Sequence, residues 1–178
     1  IMYPDAGGVR TALREMATRL ADLGYVVLLP DVYYRHGEWA PFDMKNVFND
    51  AAERQRLFSM LGSVTPAAME TDARAFFDYL AARPEVSGET FGTTGYCMGG
   101  RTSLIVAGRV PERVAAAMSF HGGGLASEDD GSPHLLADKI RAAVYVGGAA
   151  DDASFTEEHA ATLDKALTDA GVDHTIVW

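Results

Sequence analysis

The chain has 178 residues, 48% hydrophobic and 22% charged, enough apolar material for one full core under an ordinary charged surface. A formal net charge of −10 repels polyanions, so neither nucleic acid nor an anionic membrane is expected as a partner, and no apolar run approaches the length of a membrane span. A single cysteine excludes an internal disulfide and, as a free thiol, suits a reducing, cytoplasmic compartment.

Taken in chain order, strands and helices alternate. Residues 1–3 read as a strand. Residues 9–23 read as a helix, with Leu13, Met16, Ala17 and Leu20 at helical spacing and Gly24 as the stop. The apolar run 25–29, closed by Pro30, predicts a strand buried on both faces. Residues 36–64 are less regular and predict a pocket-shaping insert with a short helix over 49–61. A helix from Thr65/Pro66 to Ala82 follows, proline in its first turn and Met69, Ala73, Phe76 and Leu80 on one face. Residues 91–96 predict a strand, 101–110 a helix, 115–120 and 142–147 two further strands, 156–170 a helix and 173–178 a last strand. The loop 122–132 carries Asp129-Asp130, read as solvated surface. A helix after nearly every strand predicts a single α/β domain with a mostly parallel sheet, helices on both faces and a site at the C-terminal strand ends. Both ends of the chain read as cut: residues 1–3 have no preceding turn, and 173–178 stop without a following loop.

The chemistry concentrates in Gly95-Tyr96-Cys97-Met98-Gly99-Gly100, where the strand 91–96 turns into the helix that follows. Glycine stands two residues to either side of the cysteine, as a tight strand-to-helix turn requires; this is the nucleophile-elbow spacing with Cys in the Ser slot. The helix after it points its N-terminus at the sulfur, and its free N–H groups favour negative charge there. A lone cysteine is commonly just a small buried hydrophobe, but glycines at both flanks between a strand and a helix favour a nucleophile. The spacing does not fit a dinucleotide-binding glycine loop, and no Lys-Ser/Thr follows to make a phosphate loop. No His/Cys cluster has metal-ligand spacing, so neither metal nor cofactor is expected.

Four segments resemble the dienelactone hydrolase family, a branch of the α/β-hydrolase superfamily: Pro4-Asp5-Ala6-Gly7-Gly8-Val9, Pro30-Asp31-Val32-Tyr33-Tyr34-Arg35, Gly95-Tyr96-Cys97-Met98-Gly99-Gly100, and residues 147–155. The resemblance implies an α/β-hydrolase fold and a Cys-Asp-His triad acting on a small-molecule ester or lactone through a thioester, in a monomer or weak homodimer. Cys97 matches the nucleophile. The acid falls on Asp151 or Asp152; the following Ala153-Ser154-Phe155 resembles the segment after the family acid and favours Asp152. The family histidine follows the strand that here ends at Trp178, so it is expected beyond that residue. Of His36, His121, His134, His159 and His174, His121 is expected to border the pocket, while His159 reads as solvated and His174 as facing away. Asp5 matches an acidic position that contacts the resting cysteine, or else caps the helix near Val9. Arg35 matches an arginine that pairs with a substrate carboxylate, or else forms a surface salt bridge. The backbone N–H groups of Met98 and Ala6 are expected to hold the oxyanion. Two other readings are a hydrolase of the same fold acting on another ester or thioester, and a ligand-binding scaffold without catalysis.

Overall fold

The apolar runs assemble, in a computed structural model that describes all 178 residues, into five parallel strands in the order β1-β2-β3-β4-β5. These are β1 (Met2–Tyr3), β2 (Phe91–Tyr96), β3 (Val114–Phe120), β4 (Ala143–Gly147) and β5 (His174–Val177). The register sets Tyr3 beside Gly95, Tyr96 beside Phe120, Phe120 beside Gly147, and Gly147 beside Val177. The C-terminal ends of the strands are therefore flush. Asp5, Cys97, His121 and the 148–152 loop all follow at that one edge.

Five helices connect the strands: α1 (Thr11–Asp22), α2 (Ala51–Ser63), α3 (Pro66–Ala81), α4 (Met98–Arg109) and α5 (Glu157–Asp169). α3 begins as its sequence dictates, with Pro66 in the first turn and the Thr65 hydroxyl accepting the Ala68 N–H at 3.2 Å. Its buried stripe is Met69, Ala73, Phe77 and Leu80. Phe77, not the expected Phe76, lies in the core and stacks on Phe91 at 5.2 Å, because the i, i+4 row from Met69 and Ala73 runs through position 77. Burying a phenylalanine in this way is worth about 2–3 kcal/mol. α4 is buried over most of its length and packs on β1, β2 and β3 and against α3. It starts at Met98, three residues before the expected start at 101, since the elbow glycines already have helical backbone.

The expected strand at 25–29 is corrected. This segment runs beside β1, but the only hydrogen bond it makes with β1 is from Met2 N–H to Leu28 O, at 2.9 Å. Tyr25 and Val26 are exposed, and a single hydrogen bond does not make the segment a strand of the sheet. The stretch 36–64 holds α2, two residues on from the expected helix and capped by Asp50, which accepts the Ala52 and Glu53 amides. It also sends Phe42 and Val47 into the core. Asp129 is exposed, as expected, and there accepts from Arg101 in the first turn of α4 and from the Gly131 N–H, tying the 122–132 loop to the elbow helix. No helix is long and apolar enough to cross a membrane.

Candidate active site

Cys97 sits at the joint of β2 and α4 with φ 55° and ψ −119°, a left-handed backbone that a non-glycine residue rarely adopts. Three hydrogen bonds hold it there. Its N–H donates to Phe120 O at 3.0 Å, and its carbonyl accepts from Gly100 N at 3.0 Å and Arg101 N at 3.2 Å. Such strain persists only where the surroundings over-determine it, and it clusters at functional sites. The glycines are a steric requirement. A Cβ on Gly95 would stand 2.8 Å from the Gly99 Cα, and one on Gly99 would stand 2.7 Å from the Pro4 carbonyl oxygen and nearer still to that of Tyr3. The half-buried thiol stands directly before the first amides of α4.

Ala6 lies in the turn after β1. The carbonyl of the Asp5–Ala6 peptide accepts the Gly8 N–H at 2.9 Å, and the Ala6 N–H, trans to that carbonyl, donates to no protein atom. The Met98 amide opens α4 and has no intrahelical acceptor. Both are thus available as donors beside Cys97.

Asp152 has one oxygen held and one open. Its Oδ1 accepts from the Ser154 N–H at 2.8 Å and from the Ser154 hydroxyl at 2.6 Å. Its Oδ2 is buried without a hydrogen-bond partner, and the nearest cationic candidate is His121 Nε2 at 3.4 Å. Burial alone would push this carboxyl up; the two Ser154 bonds, the neighbouring His121 and the Phe155 amide outweigh it and hold it below the usual carboxylate range. Asp151, the alternative acid, is exposed and makes no hydrogen bond or ion pair. His121 itself has φ 53°, its amide bonded to Gly147 O at 2.8 Å, and it carries its imidazole half out into solvent.

The other expected residues are differently employed. Both oxygens of Asp5 are taken by the Arg10 guanidinium at 2.5 and 2.6 Å, and Oδ1 also accepts the Gly7 N–H. Asp5 forms no hydrogen bond with Cys97 and does not cap α1, whose N-cap is Arg10. The Arg35 fork is filled by Asp72 of α3 at 2.6 and 2.7 Å, and its guanidinium lies over the Tyr34 ring. His174 turns away, as expected, to Asp164 at 3.1 Å. His159 is not merely solvated: it closes a capping box with Thr156 at the start of α5. No local pattern marks Arg10, Asp72 or Ser154 as the partners of these residues, whereas Tyr33 carries a signal in its place in Pro30-Asp31-Val32-Tyr33. Two open clefts of about 480 and 600 Å³ flank Trp39 in the 36–64 stretch, and a third of about 450 Å³ is lined by Asp151, Asp152, Phe155, Thr156 and Trp178.

Against known proteins, the model of the dienelactone hydrolase family matches residues 1–178. The chain belongs to the dienelactone hydrolase family. Among the dienelactone hydrolase relatives, a carboxymethylenebutenolidase of Pseudomonas sp. (strain P51) is 35% identical over 100 residues, covering 56% of this chain and 40% of the relative. A carboxymethylenebutenolidase of Pseudomonas putida is 28% identical over 141 residues, covering 79% and 56%. The chain thus spans about half the length of these two curated relatives. Among solved structures, a dienelactone hydrolase-like promiscuous phosphotriesterase from metagenomic libraries superposes with a TM-score of 0.75 at 31% identity, covering 99% of this chain and 66% of that one. The fold is the α/β-hydrolase fold of this dienelactone hydrolase family.

Proposed function

We propose that the protein hydrolyses a small carboxylic ester or lactone through a thioester on Cys97. The observation that carries the reading is Cys97 itself: a thiol on a strained, glycine-flanked elbow, at the strand edge where Asp152 keeps a buried oxygen open. Sγ attacks the carbonyl carbon, and the C=O electron pair moves to oxygen. The Met98 and Ala6 N–H groups receive that oxyanion. The tetrahedral species collapses to a thioester as the alkoxide leaves with a proton, and water then releases the acid and restores the thiol. The histidine that the family resemblance implies would relay these protons, its ring N–H donating to Asp152 Oδ2. His121 borders the same space and would contact substrate. Asp5 could approach the thiol only on leaving Arg10, and Arg35 could bind a substrate carboxylate only in exchange for Asp72.

The test is a trapped intermediate. Incubation with an activated ester and intact mass measurement should add one acyl group to Cys97 of the wild-type protein. Cys97→Ala should fold normally, because the turn depends on its glycines rather than on sulfur, and should neither acylate nor turn over. Hydrolysis by Cys97→Ala at the wild-type rate would end the proposal.

A further inference from the structure

The segment Pro30-Asp31-Val32-Tyr33 has no part in the chemistry above, yet it reaches the site. Tyr33 is fully buried, and its hydroxyl donates to Ala6 O at 2.9 Å and lies 3.8 Å from Met98 Sδ. It touches both residues assigned to the oxyanion hole. The ring is itself held. Asp31 Oδ1 accepts the Tyr33 N–H at 2.9 Å, Asp31 Oδ2 accepts the Trp39 indole N–H at 3.1 Å, and the Trp39 ring packs edge-on against Tyr33 at 5.5 Å.

The turn that Tyr33 supports has two peptides whose polar groups can be followed one by one. The Asp5–Ala6 carbonyl is taken by the Gly8 N–H, the Ala6–Gly7 carbonyl by the Tyr33 hydroxyl, and the Gly7 N–H by Asp5 Oδ1 at 2.9 Å. The Ala6 N–H alone is left over. We infer that Tyr33 is a positioning residue: resting on the hydrolase reading, its hydroxyl locks the Ala6–Gly7 peptide so that the Ala6 N–H stays aimed at the oxyanion beside Cys97. Burial, and then the neighbouring Asp5, Cys97 and Asp31 side chains, push the phenol well above its ordinary range, so it remains a donor at any pH where the protein is folded and active. Without that donor the Ala6 carbonyl would be left unpaired, and the peptide would gain from turning toward another partner.

Two reactions of the same sulfur separate this role from a merely structural one. Acylation by p-nitrophenyl acetate passes through an oxyanion: the Sγ–C bond forms, the C–O bond breaks, and p-nitrophenolate leaves with the electron pair. Alkylation by iodoacetamide displaces iodide at a saturated carbon and makes no oxyanion. Tyr33→Phe keeps the ring and removes only the donor. It should slow acylation about tenfold, since oxyanion donors act only when correctly aimed, and leave alkylation within about twofold. Equal slowing of both reactions, or no slowing of acylation, overturns the proposal. If Tyr33→Phe does not fold, Asp31→Asn decides: about threefold slower acylation with unchanged alkylation is expected from a loosened Tyr33, and equal effects on both reactions overturn it. A wild-type protein that p-nitrophenyl acetate does not acylate at Cys97 overturns the hydrolase reading itself, and this role with it.

Discussion

Gly99 is the position where one added carbon should do most damage, and the structure says how much. A Cβ there would stand 2.7 Å from the Pro4 carbonyl oxygen, with the Tyr3 oxygen nearer still. Both obstacles are backbone, at the end of β1, and neither can rotate aside as a side chain would. Relief requires β1 and α4 to part by roughly half an ångström or more, which belongs at the upper end of overpacking costs, about 3 kcal/mol. For a chain of this size that corresponds to a fall in Tm of about 6–12 °C. The Ala6 turn follows β1 directly, so Gly99→Ala should also lower kcat for ester hydrolysis. Gly92 supplies the control within β2, because a Cβ there would meet nothing within 4 Å. Gly92→Ala should stay within about 0.5 kcal/mol of wild type, as exposed substitutions generally do. Urea unfolding of the two variants measures the contrast. Equal stability of Gly99→Ala and Gly92→Ala would refute the claim that close approach of β1 to α4 imposes glycine on the elbow.

Arg35→Met tests substrate charge. The wild type should prefer a carboxylated lactone over its methyl ester, and the variant should lose about 1.5 kcal/mol or more of that preference in kcat/KM if the guanidinium leaves Asp72 for the substrate. A wild type indifferent to the carboxylate would leave Arg35 to its contacts with Asp72 and the Tyr34 ring, a structural role at the protein surface. Asp152 predicts a pH effect on stability. Its folded carboxyl binds a proton less readily than in the unfolded chain, so its contribution is complete above the unfolded value near 3.9 and drains away as the pH falls through the lower folded value. The stability gap between wild type and Asp152→Asn, measured by urea unfolding from about pH 6 to pH 2, should narrow at the acid end; a gap that does not change with pH would contradict the arrangement around Ser154.

Local patterns made much of this protein legible. Strand and helix alternation gave the parallel sheet, and glycine spacing around Cys97 gave the elbow, because both are short-range steric rules written in consecutive residues. The failures share one cause. Tyr25–Val26–Val27 reads as part of a strand buried on both faces, but burial depends on what packs against the segment, which apolar composition does not report. Phe76 and Phe77 are adjacent, and only the packing of α3 on β2 selected Phe77 for the core.

The sequence alone placed Cys97 at a turn that only small neighbours permit, and placed Asp151 and Asp152 after β4, with the preference for Asp152 resting on a resemblance of the three residues that follow it. Tertiary structure distinguished the two by burying Asp152, tying one of its oxygens to Ser154 and leaving the other open, while Asp151 faces solvent. It also gave Asp5 to Arg10 and Arg35 to Asp72, and brought Tyr33 to Ala6, 27 positions away in sequence. A charged or hydroxyl side chain carries the same sequence signal whether it meets substrate, solvent or another side chain; which partner it meets depends on distances that exist only once the chain has folded.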